Sequence, residues 1–292
     1  MSLIKRVAVI GATGMLGMPV AIALMEAGFA VTALVRDPVR ARAALPEAIA
    51  VVQADVRDEE SLRRGLSGQD ALYLSLSVAP EERPSGFHTE QQGLRHILDA
   101  AKDAGIKRIA YLSALVHDAN SDWWVLDIWK QALARIKASG IPYTIFYPTN
   151  FMETLAERHS VGRFMVTFGH ARHGNYWIAA HDYGRQVARS LSREASANRE
   201  YCVQGPQAFT YEEAANIYAN AQSVPPIRVR VPLAVVRALG LFSPSADYNA
   251  QIMSAVLNYP ETFRAADTWA ELGEPRTTLE DFARQRSAQK PA

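Results

Sequence analysis

Val7-Ala8-Val9-Ile10-Gly11-Ala12-Thr13-Gly14-Met15-Leu16-Gly17 is the stretch on which the fold turns. Its first four residues are apolar and β-branched or small, which suits a buried strand. The glycines then fall three apart, as G-x-x-G-x-x-G. Helix-forming residues follow over 19–27 and stop at Gly28. A strand that runs through a glycine turn into a helix is the arrangement that cradles a dinucleotide pyrophosphate. Gly11 permits the tight turn, Gly14 has no side chain to hold a phosphate off the backbone, and Gly17 lets the helix close on the strand. Thr13 and Met15 complete the phosphate-facing segment. The helix N-terminus adds free N–H donors and a partial positive charge.

The same region is free of charge from Val7 to Met25, a length that raises the question of a signal peptide or a membrane helix. Gly11, Gly14, Gly17 and Pro19 divide it into a strand and a helix instead.

Working outward, short apolar runs alternate with amphipathic ones. Strands are expected over 3–10, 30–35, 49–54, 71–76, 108–113 and 143–147. Helices are expected between them, over 19–27, 38–44, 58–66, 87–104 and 123–138. Strands separated by helices of this length form a parallel sheet covered on both faces. Past Pro148 the rhythm loosens. Short strands are expected over 164–168 and 176–179, and a strand over 201–204 returning to the main sheet. Helices are expected over 182–191, 211–221, 232–239, 247–257 and 279–286. The fold class is therefore α/β, a Rossmann-type doubly wound parallel sheet with a smaller, mostly helical C-terminal substrate portion. Residues 1–150 form the NAD(P)-binding part and 151–292 the substrate part, with 181–204 returning to the sheet.

The 292 residues are 49% hydrophobic and 21% charged, enough to bury a sizeable core. Thirty-one basic residues stand against thirty acidic ones. A net charge of +1 does not suggest a nucleic-acid or anionic-membrane partner. The single cysteine, Cys202, has no internal partner for a disulfide and fits a reducing, cytoplasmic compartment. The expected partner is a small-molecule substrate, with a homodimer allowed for.

The end of the second strand reports on the nucleotide. An acid there bonds the ribose hydroxyls of NAD(H), and an arginine favours a 2′-phosphate. Arg36 stands there, followed by Asp37. A guanidinium chelates phosphate through two parallel hydrogen bonds. NADP(H) is thus favoured over NAD(H), against the plainer reading of Arg36 as a solvated surface residue. Asp55 and Val56, after the third strand, are placed to meet the adenine edge and face; helix capping by Asp55 is the plain alternative.

These motifs resemble the atypical short-chain dehydrogenase/reductases, and among them the NmrA-like group. The resemblance rests on the Gly11–Gly17 turn, Arg36-Asp37, Ala54-Asp55-Val56 and Gly140-Ile-Pro-Tyr-Thr-Ile-Phe-Tyr-Pro-Thr-Asn-Phe-Met-Glu153. Asp182-Tyr-Gly-Arg185 and Gly205-Pro-Gln-Ala-Phe-Thr-Tyr-Glu-Glu213 extend it over most of the chain. It implies a nicotinamide cofactor. It leaves the reaction open among quinone reductases, reductases of plant phenolic metabolites, and regulators that bind NADP without turnover.

The wider superfamily carries a serine at the fifth strand and Tyr-x-x-x-Lys on the next helix. Ser113 and Lys130 match, but the tyrosine position holds Leu126, which has no proton to give. The resemblance makes Lys130 a ribose ligand and proton donor; an exposed helix lysine is the plain reading.

The spacing His170-x-x-His173 lacks further ligands, so no metal is expected. Trp123, Trp124 and Trp129 are expected to pack the helix or to wall an aromatic pocket. His117 follows Ser113 in a loop. Three functions remain open: an NADPH-dependent reductase of a small conjugated acceptor such as a quinone, a non-catalytic NADP(H) sensor, and a sugar-nucleotide epimerase.

Overall fold

The computed structural model describes residues 4–119 and 121–289. The N-terminal half alternates strand and helix: β1 (Arg6–Ile10), α1 (Gly17–Glu26), β2 (Ala30–Val35), α2 (Pro38–Ala44), β3 (Ala50–Gln53), α3 (Glu59–Leu66), β4 (Ala71–Leu74), α4 (Leu94–Asp103), β5 (Arg108–Leu112), α5 (Trp124–Ala138) and β6 (Tyr143–Pro148). Then come α6 (Glu153–Glu157), β7 (Ser160–Val161), β8 (Phe164–Phe168), β9 (Asn175–Tyr176), α7 (Ala180–Leu191), β10 (Arg199–Val203) and β11 (Ala208–Phe209). The chain ends with α8 (Tyr211–Asn220), β12 (Ile227–Val231), α9 (Leu233–Gly240), α10 (Pro244–Asn258), α11 (Ala266–Leu272) and α12 (Leu279–Gln289).

Seven strands form one parallel sheet in the order β10-β6-β5-β4-β1-β2-β3. Alternation along β1 explains the two-layered core. Val7 and Val9 enter the cluster under α1 and α7, while Ala8 and Ile10 enter the cluster under α3, α4 and α5. Every residue of β4 and β5 is buried, as strands covered on both faces must be. The strand order reverses between β1 and β4, and ligands bind at such a switch point.

Asp182-Tyr-Gly-Arg185 on α7 ties the halves together. The buried Asp182 carboxylate accepts the N–H groups of Arg276 and Thr277 at 2.8 and 2.7 Å and pairs with Arg185. A Cβ on Gly184 would lie 2.8 Å from the Ala23 methyl, so glycine there lets α7 close on α1.

Several expectations are corrected. The helix expected over 87–104 opens with a π turn, Thr89–Gly93, before α4. The strand expected over 176–179 is only Asn175–Tyr176, followed by a single bridge between Phe151 and Ile178. The first strand was expected from residue 3, which lies outside the described residues. Strand β12, parallel to β8, and helices α6 and α11 were not anticipated.

Candidate functional site

The glycine turn has the geometry its spacing implied. Gly11 has φ +89°, and a Cβ there would sit 2.3 Å from Ser75 O. A Cβ on Gly17 would sit 2.0 Å from Gly11 O, so only glycine lets α1 start against β1. Gly14 differs. Its φ is ordinary, and its added Cβ meets only Gly11 O, at 3.3 Å. Gly14 and Thr13 are exposed, while Met15 and Leu16 are half-buried on a cavity wall. Helix α1 begins without a side-chain cap and without an acid in its first turn. Its Met18 N–H is bonded to Gly14 O at 3.0 Å within the turn.

At the end of β2, Arg36 is exposed. Asp37 Oδ1 accepts the Arg40 N–H at 3.0 Å and caps α2. Beyond β3, Asp55 Oδ1 accepts the Arg57 N–H at 2.9 Å, and the cap of α3 is Asp58. Val56 is half-buried against the π turn, where a Cβ on Gly93 would lie 3.2 Å from it.

A cavity of about 620 Å³ opens beside the turn, at the C-terminal ends of β1, β4, β5 and β6. Its walls include Met15 and Leu16 after β1, Leu76 to Val78 after β4, and Ser113 after β5. Thr149 to Phe151 follow β6, and α10 closes the far side with Tyr248, Ile252, Met253 and Val256. Most of this lining is apolar or aromatic. Two buried polar atoms in it have no hydrogen-bond partner, Ser113 Oγ and Asn175 Oδ1. Such atoms carry a desolvation cost that a ligand would offset.

Lys130 does not reach this cavity. It is exposed on α5, whereas Trp129 lines the cavity and Leu126 is fully buried. One residue turns a helix by about 100°, so an inward Trp129 carries Lys130 around towards solvent. Lys130, expected as ribose ligand and proton donor, thus stands outside the cavity wall.

Other flagged residues also find their places. Trp123 is buried beside Tyr248. His117 stacks on Tyr147 at 4.5 Å and donates through Nδ1 to Ala114 O. His170 lies beside Arg230 and Glu212. Among the described residues, no group of three or more His, Cys, Asp or Glu is placed to hold a metal ion. Sequence reasoning missed Glu90, a buried carboxyl in the cavity wall that accepts from Tyr111 and Trp129. Nothing local marks Glu90, because its burial depends on the π turn.

Residues 11–193 match the model of a family described as NAD(P)H-binding. The chain belongs to the NAD(P)H-binding family. Quinone oxidoreductase 2 of Escherichia coli (strain K12) is 31% identical over 215 residues, which is 72% of each chain. The NAD(P)H azoreductase of Xenophilus azovorans is 26% identical over 289 residues, 96% of this chain and 97% of that one. A crystal structure of the NADPH-dependent quinone oxidoreductase of Escherichia coli complexed with NADPH superposes with a TM-score of 0.74. It is 27% identical and covers 96% of this chain and 99% of its own. The family member described here is thus an NAD(P)H-binding oxidoreductase with the Rossmann α/β fold. Among the described residues, no helix is long and apolar enough to cross a membrane.

Proposed function

We propose that this chain is an NADPH-dependent reductase of a small conjugated acceptor such as a quinone, and that it falls in the NmrA-like group. The observation that carries the reading is the apolar, aromatic-lined cavity at the switch point of the sheet, adjoining a turn whose Gly14 is left open to a ligand. Two relatives point the same way, one being named a quinone oxidoreductase and the other an azoreductase.

In this reading the Gly11–Gly17 turn, with Thr13, Gly14 and Met15, holds the pyrophosphate. Arg36 takes the 2′-phosphate. Capping of α2 by Asp37 supports that choice, since the competing acid already serves the backbone. Asp55 and Val56 border the adenine. Ser113, whose Oγ lacks a partner, hydrogen-bonds at the reacting end. The bound dihydronicotinamide would supply a hydride, and the protein's part is to bind, orient and exclude water. The apolar wall of Leu76, Leu112, Trp129 and Ile252 suits a flat, weakly polar acceptor.

The test is NADPH oxidation by the purified protein with a panel of quinones, enones, azo compounds and aldehydes. Quinone turnover is expected. Tight NADPH binding with no turnover on any acceptor would favour the second reading, a non-catalytic NADP(H) sensor. The buried Leu126 in place of a tyrosine is the observation behind that alternative. The epimerase reading loses its proton carrier at the same position.

A further inference from the structure

The π turn before α4 sets a carboxyl into the cavity wall. His88 O accepts from the N–H groups of Gln91, Gln92 and Gly93 at 3.1, 3.0 and 3.2 Å, which widens the turn. Glu90 then points inward. It is 2% exposed and borders the cavity together with Ser113 and Trp129. Its Oε1 accepts from the Tyr111 hydroxyl at 2.8 Å and its Oε2 from Trp129 Nε1 at 3.0 Å.

The titratable groups facing Glu90 are Tyr111 on β5, Tyr248 on α10 and Glu82 in the preceding loop. None of these three brings a positive charge; Arg158 lines the same cavity and acts on Tyr248, but among the described residues no ion pair to Glu90 is formed. Glu82 is itself engaged by His88 Nδ1. A carboxyl buried without a cation is costly to keep, and such groups concentrate at functional sites. Single π turns do so as well. Here both occur in the cavity whose usual phenol is missing, because Leu126 faces the core.

We propose that Glu90 is the proton donor of this site, serving conjugated carbonyl or azo acceptors whose reduced atom must be protonated. The inference rests on the reductase reading above. The acceptor gains a hydride, which carries both electrons, from the dihydronicotinamide as that is oxidised, and a proton from Glu90. The O–H bond of Glu90 breaks and a new O–H or N–H bond forms on the acceptor. Water reprotonates the carboxylate after the product leaves. Burial pushes the carboxyl up to about 7 against the pull of the Tyr111 and Trp129 hydrogen bonds, so the proton is present near neutral pH.

The experiment has one arm without turnover and one with it. In cofactor-free protein, the Trp129 indole N–H resonance, assigned with Trp129→Phe, should titrate near pH 7. It should be flat in Glu90→Gln, which keeps the side-chain shape. In turnover of an azo or enone acceptor, Glu90→Gln should lower kcat by ~10²–10⁴-fold and remove the fall in rate above neutral pH, with NADPH affinity unchanged. Tyr111→Phe removes a hydrogen bond that holds the carboxyl down, so the alkaline limb should move to higher pH. A merely structural carboxyl would not move it. An active protein whose rate and pH profile ignore Glu90→Gln would overturn the role of Glu90 alone. So would an indole that does not titrate. An inactive wild-type protein with a titrating indole would overturn the reductase reading, and this inference with it.

Discussion

Gly11, Gly14 and Gly17 share one motif but have different reasons to be glycine. Gly11 and Gly17 are demanded by the protein itself, since an added Cβ would lie 2.3 and 2.0 Å from backbone oxygens. At Gly14 the space is open apart from one contact at 3.3 Å. Gly14→Val should therefore keep the fold, by circular dichroism, and lose NADPH binding, by calorimetric titration. Binding near wild-type strength would place the phosphates elsewhere. Arg36 permits a sharper test, because only one cofactor carries the 2′-phosphate. Arg36→Ala should weaken NADPH by about ten- to a hundredfold, the equivalent of ~1.5–3 kcal/mol for a charged hydrogen bond, and leave NADH unchanged. Equal losses for both cofactors would remove Arg36 from the phosphate site.

At the scale of elements, side-chain caps mark several helix starts: Asp37, Asp58, Thr210 and Ser243 cap α2, α3, α8 and α10, while α1 is among the helices that start without one. Helix α7 carries a different device. Asp182 gathers two backbone N–H groups from the connection between α11 and α12. Asp182→Ala should cost about 2–3 kcal/mol, because it strips charged hydrogen bonds from a buried site. Arg185→Ala, removing an exposed guanidinium, should cost under about 1 kcal/mol. Denaturant titration of both variants checks the order. The βαβ series was legible because each element announces itself locally, by an apolar run, a cap or a glycine stop. Strand β12 was not. Its Ile-Arg-Val-Arg-Val run is nearly all exposed, and its partner β8 lies some sixty residues earlier, so no apolar run marks its ends. Helix α11 carries only two buried residues, Thr268 and Leu272.

For the whole molecule, buried carboxyls set how stability responds to pH. Burial pushes both Glu90 and Glu153 up to about 7, from an unperturbed 4.5. Through that window the folded chain holds protons that the unfolded chain has released. Stability must then fall as pH rises, and level off above it. Asp70 acts in the opposite sense. Burial raises it, but Lys107 and the N–H groups of Arg6 and Lys5 outweigh that and hold it well below the usual carboxylate range. Its contribution is complete above that range and is lost on acidification. Melting temperatures from pH 4 to 9 should therefore peak on the acid side of neutral, near pH 5 or just below. Glu153→Gln, away from the cavity, should flatten the fall towards neutral pH. A peak at alkaline pH would contradict the assignment.

The sequence alone determined what depends on neighbours along the chain. The strand–turn–helix at Gly11–Gly17, the alternating series behind the parallel sheet and the arginine at the end of β2 each need only a few adjacent residues to be read. Tertiary structure decided what depends on rotation and on distance. Whether Lys130 or Trp129 faces inward is a matter of about 100° around one helix, which spacing from a motif does not fix when the helix packs through Leu126 and Ala132. Whether Glu90 is a surface acid or a buried one depends on a widened turn and on Tyr111 and Trp129, 21 and 39 residues away. A buried polar group owes its environment to residues remote in sequence, and only the packed chain brings them together.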